Sequence, residues 1–460
     1  MGEQVIDFRN GKITVLFKQL FFPTVLGMLS MSAVTTIDGI FVGHGVGSDG
    51  IAAVNICVPL LMGLMGVGLM MGSGCSVMAS IYLSQGKRLL ARIGVTQALL
   101  FVTLISLIAG GGVMVFPERV ARLLGASELL MPMVVDYLVW FAPSLLFELW
   151  MAVALFALRL DGAPKLAMWC NVIAAVVNIL LDWLFIFPFG WGVRGAALAT
   201  SVSCLAGAAV AVVYLGVFAR NTRLCVLRLN RKDCLLWIRN TVAQCKIGLS
   251  TLFGEMTMAL LLFVGNHVFM HYLGDEGVGA FGLSCYFLPF VFMIGNAIAQ
   301  SVQPIISYNF GTGSRERVHT ALRVSVMAAV GCGVVSTAGF VFLPEVLVGV
   351  FLPLDDAAAR IAIDGFPYYG VGFVFFILNL TIIGYYQSIE RIKPAITFAM
   401  LRGLFFLVPC FVVLPKVAGV TGIWLALPVS EILTSLCMVV MLWKQSLLPH
   451  SPYGNTHVFE

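Results

Sequence analysis

The stretch ARNTRLCVLRLNRKDCLLWIRN, residues 219–240, is the longest polar run in the chain, and everything else is read from its two sides. On each side lie apolar runs of about 20 residues or more, the length that crosses a bilayer as a helix. Six precede it, at roughly 14–42, 51–84, 93–116, 131–157, 166–188 and 195–218. Six follow it, at roughly 244–272, 278–307, 320–343, 363–388, 395–415 and 420–443. Several exceed the minimum, which predicts tilt or kinks. They are too long and too lacking in alternation to be barrel strands. The composition agrees: 460 residues are 60% hydrophobic and 11% charged, where a soluble domain has about 25% charged. The fold class is an all-α membrane protein of twelve transmembrane helices. Helices 1–6 occupy residues 1–218, a linker 219–243, and helices 7–12 with a short tail 244–460. Residues 1–13 have no apolar core of a cleavable signal, so helix 1 is expected to stay.

The flanks of the linker are copies. GVGSDGIAA (45–53) and YLGDEGVGA (272–280) share Gly47/Gly274, Gly50/Gly277 and Ala53/Ala280 at an offset of 227. SQGKR (84–88) and GTGSR (311–315) share Gly86/Gly313 and Arg88/Arg315 at the same offset. So do GVRGAALA (192–199) and GVTGIWLA (419–426), through Gly192, Val193, Gly195, Leu198 and Ala199. Six is an even number, so both copies face the same way. The result is a pair of six-helix bundles in parallel repeat, an arrangement suited to rocking around a central cavity.

Lysines and arginines fix the orientation. With a cytoplasmic N-terminus, 21 of the 27 fall on inner loops and tails and five on outer loops (Arg119, Arg122, Arg194, Arg360 and Lys416); Arg402 lies inside helix 11. This is the positive-inside bias, with both termini cytoplasmic. The net charge of +5 therefore reflects topology, and no nucleic-acid partner is expected. None of the 11 cysteines lies in an outer loop, and none sits at metal-site spacing. Neither a disulfide framework nor a metal cofactor is expected.

Charges inside a span are costly and tend to face a cavity or a partner. Here they are Asp38, Glu148, Asp182, Glu255, Arg402 and Glu431. Asp38 is about four residues from the outer end of helix 1, Asp182 about five from that of helix 5, and Thr200 about six into helix 6. At about 1.5 Å per residue all three lie some 6–9 Å below the outer ends. Asn178 is one turn before Asp182 on the same face. Two carboxylates, an amide oxygen and a hydroxyl at one level suit a small cation such as Na+. They equally suit H+, held by a carboxylate that burial and a like charge leave protonated. The second copy repeats the frame but not these charges: the offset takes Asp38 to Gly265. Glu255 in helix 7 is the second-half candidate, to attract a cationic substrate or to pair with Arg402. Pro23 bends helix 1, as a moving part or as a static kink.

The chain resembles the multidrug and toxic compound extrusion (MATE) family, within its prokaryotic group of DNA-damage-inducible (DinF-like) and staphylococcal multidrug-pump (MepA-like) members. The resemblance rests on IDGIFVGHGVGSDGIAAVNICVP (37–59), NILLD (178–182), GVRGAALAT (192–200) and QPIISYNFGTGSRERV (303–318), and spans essentially all twelve helices. It implies a V-shaped pair of lobes and antiport of organic cations against Na+ or H+. It implies a first-lobe ion site of Asp38, Asn178, Asp182 and Thr200 with the backbone carbonyl of Ala196, and coupling through bending at Pro23. Another branch of the family places acids in helices 7 and 10. Here Glu255 occupies helix 7, but helix 10 carries only Asp364, at its outer edge, which favours coupling in the first lobe.

The expected function is a cation-coupled antiporter exporting hydrophobic organic cations, a monomer in membrane lipid with no cofactor beyond its coupling ion. The alternative in the same superfamily is a flippase for a lipid-linked saccharide, though the cavity charges here are mostly acidic. A channel or membrane sensor is the rival of another class. An enzyme is not expected, since no nucleophile–base pair or phosphate loop is present.

Overall fold

The computed structural model describes residues 6–227 and 231–447, and no strand occurs among them. In lipid every backbone amide must be satisfied within its own segment, which leaves helix as the local solution for these apolar runs. The helices are α1 (Ile13–Gly45), α2 (Ser48–Ser84), α3 (Arg88–Val115), α4 (Pro117–Leu123), α5 (Met131–Phe141), α6 (Ser144–Asp161), α7 (Pro164–Ile186) and α8 (Gly192–Val213), which ends in a π-helical turn, Tyr214–Phe218. The second half holds α9 (Arg231–Gly311), α10 (Arg315–Phe342), α11 (Pro344–Gly349), α12 (Ala357–Gly370), α13 (Phe373–Ser388), α14 (Ile392–Met400), a π-helical stretch Leu401–Leu407, and α15 (Val408–Leu447).

Twelve spans emerge once breaks are counted. α9 is interrupted at Gly274, with φ of 64°, and α15 at Gly419, with φ of 59°; each is two spans folded at a glycine. α5 and α6 form one span bent by 50°, and α12 and α13 one bent by 47°. The first bend follows from Pro143, which cannot donate to the ladder. The second span begins at Ala357, earlier than expected, so Asp364 lies within α12 and faces outward.

The repeat glycines turn the chain in the same way in both halves. Gly86 and Gly313 have φ of 76° and 75°, and Gly192 and Gly419 have 56° and 59°. Gly47 and Gly274, at 95° and 64°, are likewise left-handed. Only glycine takes this conformation without strain, which is why these positions carried the repeat in sequence. The short helices α4 and α11 also start one repeat apart, each on a proline.

Contacts divide the chain into two compact units. Unit 1 holds the described residues through Met256, with Ala297–Val324 and Gln387–Glu390; unit 2 holds Thr257–Asn296, Ser325–Tyr386 and the described residues from Arg391 on. Unit 1 contains the whole first half and takes in parts of α9, α10 and α13. Its core has two clusters, one around Met71, Leu149, Ala154 and Ala208, the other around Val42, Tyr137, Ile186 and Ala196. Small residues let these helices approach closely: a Cβ on Gly207 would lie 2.9 Å from the Cys170 carbonyl oxygen. Unit 2 is built on aromatics, with Trp424 meeting Phe269 edge-on at 4.8 Å and Phe366 at 6.1 Å.

The polar stretch after α8 is pinned at its start. Asp161 accepts hydrogen bonds from the backbone N–H groups of Arg220, Asn221 and Thr222 and from the Tyr214 hydroxyl. Helix resumes at Arg231. Before α1, Asp7 closes a turn by accepting from the Arg9 and Asn10 N–H groups. Burial alone would raise its carboxyl, but these bonds hold it below the usual carboxylate range.

Candidate cation site

The far ends of α1 and α7 lie side by side. A Cβ on Gly45 would overlap Ile186, and Phe41 meets Phe187 edge-on at 5.8 Å. The end of α8 is tied in alongside, since a Cβ on Gly195 would lie 3.0 Å from Phe185. Asp38 is seven residues below Gly45, Asp182 four below Ile186 and Thr200 five below Gly195, which places all three about 6–10 Å below these contacts.

At that level Asn178 Nδ2 donates to Thr200 Oγ1 at 3.4 Å. Thr200 Oγ1 in turn donates to the Ala196 carbonyl at 3.1 Å. Asp182 is fully buried, and both its carboxylate oxygens lack a partner. The same holds for Asn178 Oδ1 and Asp38 Oδ1. Asp38 lies close enough to Asp182 for the two carboxylates to interact electrostatically. Four unpartnered oxygens thus share one small buried region. Buried polar atoms normally have partners, and two carboxylates in an apolar interior need a cation or a proton. The available oxygens are hard donors. No group of three or more His, Cys, Asp or Glu residues gathers into a transition-metal site among the described residues.

The remaining sequence candidates sit elsewhere. Pro23 lies inside α1, which continues through it; its missing N–H leaves the Gln19 carbonyl without its helical donor. Glu255 lies on α9 against α2, where a Cβ on Gly66 would meet its side chain at 3.5 Å. Arg402 is committed to Glu431: Nε to Oε1 is 2.6 Å, and both side chains are 1% exposed. Asn379 donates to Glu431 Oε2 at 2.7 Å, and the guanidinium sits 4.0 Å from the centre of the Phe376 ring. Of the two roles open to Arg402 and Glu255, the arginine's partner is therefore Glu431.

One neighbour escaped the sequence reading, and so did a contact of Glu148. Tyr137 on α5 is 4% exposed and lies within electrostatic reach of Asp38, Cys57, Glu148 and Asp182. Its depth was legible, since it is six residues into its span. Glu148 on α6 accepts a weak hydrogen bond from Cys204 Sγ on α8 at 3.8 Å. Only the pairing of two distant helices reveals that contact.

A model of the MatE family matches residues 23–184 and 251–412, one stretch in each half. The multidrug export protein MepA of Staphylococcus aureus strain MSSA476 is 25% identical over 460 residues, covering 96% of each chain. That of Staphylococcus saprophyticus is 26% identical over 467 residues, again covering 96% of each. Among solved structures, a MOP superfamily transporter from Pyrococcus furiosus matches with a TM-score of 0.86 at 19% identity, over 97% of this chain and 98% of that one. The Vibrio cholerae MATE transporter VcmN matches with a TM-score of 0.85 at 18% identity, over 96% and 98%. The structural likeness establishes the fold. With the family model matching both repeats across most of the sequence, this multi-pass membrane protein belongs to the MatE family, the multidrug and toxic compound extrusion transporters.

Proposed function

We propose that this transporter is an antiporter, exporting hydrophobic organic cations in exchange for inward Na+ or H+. The observation that carries the reading is the set of unpartnered oxygens on Asp38, Asn178 and Asp182, beside the Thr200 hydroxyl and the Ala196 carbonyl. The curated relatives are multidrug export proteins, which supports the cargo class. Residues 1–218 and 244–460 act as two six-helix lobes joined by 219–243, with both termini cytoplasmic and the protein working as a monomer.

The coupling ion enters from outside and settles between Asp38 and Asp182, relieving their mutual repulsion. Loading draws α1 toward α7, with Pro23 as the point where α1 bends, because one carbonyl there has no helical donor to lose. The reshaped lobe releases the cationic cargo, and alternating access returns the empty site outward. An ion and a cation that compete for the same negative region are coupled by exclusion. Glu255 supplies a further negative group for the cargo.

The test is reconstitution in liposomes with a fluorescent lipophilic cation, under an imposed sodium gradient and then a proton gradient. Asp38→Asn keeps the shape and removes one charge, and should cut gradient-driven flux at least tenfold at equal protein. Normal flux in that variant would sink the reading. The gradient that drives wild-type flux names the ion.

A further inference from the structure

The motif QPIISYNFGTGSRERV (303–318) carries much of the family likeness, yet the cation site uses none of it. It forms the end of α9 and the start of α10, at the end of the bundle where α1 begins. Within unit 1, Gln303 Nε2 donates to the Ser73 carbonyl on α2 at 2.9 Å. The Ser73 hydroxyl lies 3.1 Å from Thr251 Oγ1. Gln387 Nε2 donates to Ser73 Oγ at 2.9 Å and to Thr251 Oγ1 at 3.1 Å. Beyond this layer Ser80 donates to the Pro304 carbonyl at 3.1 Å and Ser307 to the Ser388 carbonyl at 2.9 Å. Four spans, one from the first half and three from the second, thus meet through neutral amides and hydroxyls.

The backbones here nearly touch. A Cβ on Gly74 would overlap the Gln244 carbonyl, and one on Gly248 the Met70 carbonyl, so no cargo passes in this state. An outer layer ties down the N-terminal turn. Asn309 Nδ2 and Arg317 Nη2 both reach the Phe8 carbonyl at 3.2 Å, and Arg317 Nη2 reaches the Gly11 carbonyl at 2.7 Å.

Polar side chains that join membrane helices for good satisfy one another's hydrogen bonds. This seam buries Gln303 Oε1, Gln244 Oε1, Ser250 Oγ and Ser301 Oγ without partners, and an unpartnered buried group costs more than a neutral bond gains. The seam is therefore closed only weakly, and its bonds can be exchanged for water at little net cost. Its four central side chains are uncharged. We propose that Ser73, Thr251, Gln303 and Gln387 form the gate that closes this end of the transport path, opening once per cycle as water replaces their mutual hydrogen bonds. The proposal rests on the transport reading above.

The test is a reversible cross-link. Ser73→Cys with Thr251→Cys places two thiols where hydroxyls now touch, and peptide mapping after oxidation reports the bond. Export of the lipophilic cation should fall below a tenth of the reduced rate when the protein is oxidised, and return on reduction; each single variant should be insensitive to oxidant. Hydrogen–deuterium exchange of peptides 66–84 and 297–312 should slow at least tenfold in the cross-linked protein and quicken severalfold in Gln387→Ala. Failure to form the disulfide, or full export with the disulfide in place, overturns the gate. If wild-type protein moves no cation at all, the transport reading has failed instead. The exchange arm then decides the gate alone, and unchanged exchange in Gln387→Ala overturns it.

Discussion

Replacing Arg402 by Leu should strand Glu431 in the interior of unit 2. The pair is 2.6 Å apart and almost fully enclosed. Asn379 supports one carboxylate oxygen of Glu431 and Ser435 in turn supports Asn379. Breaking such a pair by removing one partner costs about 3–5 kcal/mol, because a buried charge is left uncompensated. For a unit of about 150–250 residues each kcal/mol shifts the melting temperature by about 2–4 °C, so Arg402→Leu should lower it by about 6–20 °C. Glu431→Gln alone leaves the guanidinium unpaired and should cost a similar amount. The double variant Arg402→Leu/Glu431→Gln removes both charges while keeping an acceptor for Asn379. It should sit within about 2 kcal/mol of wild type, since exchanging a buried ion pair for neutral groups is often close to neutral. The assay is thermal unfolding of purified protein in detergent, read by size-exclusion chromatography after heating. Singles that melt with wild type, or a double variant that loses the sum of both singles, would refute the reasoning. They would leave Glu431 without a fixed partner, as an acid free to bind an ion.

Three further outcomes follow from contacts outside the cation site. Arg317→Ala removes the donor to the Gly11 carbonyl and one of the two donors to the Phe8 carbonyl, so hydrogen exchange of residues 8–11 should quicken by about tenfold, the equivalent of about 1.4 kcal/mol; unchanged exchange would show that the turn is held without it. Asp161→Ala removes the acceptor for the amides of residues 220–222, and at a local loss of about 3 kcal/mol their exchange should rise roughly a hundredfold. Burial pushes the Glu390 carboxyl, in the turn after α13, up to about 7 from 4.5. The folded turn holds that proton more tightly than the unfolded chain does, so its stability falls as pH rises from 4.5 to 7 and is flat above. The fall is at most about 3 kcal/mol, and Glu390→Gln should abolish it in a pH series of unfolding midpoints.

Much of the fold was legible because membrane physics leaves few choices. Apolar length gave the spans, and the glycines of the repeat were visible because a left-handed backbone admits almost nothing else. The bend between α12 and α13 was not: it falls at Val371 and Gly372, four residues past Pro367 and not at a proline itself. In the candidate site, the depths of Asp38, Asp182 and Thr200 could be counted from helix ends, and so could that of Tyr137, six residues into its span. The partner of Arg402 could not, because Glu255 and Glu431 are equivalent until three helices are placed in space. The seam around Ser73 was also invisible. Serine, threonine and glutamine in a span read as ordinary helix glue, and only their convergence from four spans sets them apart.

The enclosure of Arg402 with Glu431 has an electrical consequence. A unit charge carried across the membrane potential gains or loses about 2.3 kcal/mol per 100 mV. Among the described residues, the buried charged residues of unit 2 are this one pair, and they cancel. However far that unit moves in a cycle, its interior carries no net charge through the field, so the membrane voltage can neither drive nor oppose its motion through them. Any voltage dependence of transport would then have to come from charges elsewhere, such as Asp38, Glu148, Arg159, Asp182 and Glu255 of unit 1, and from a bound ion or cargo.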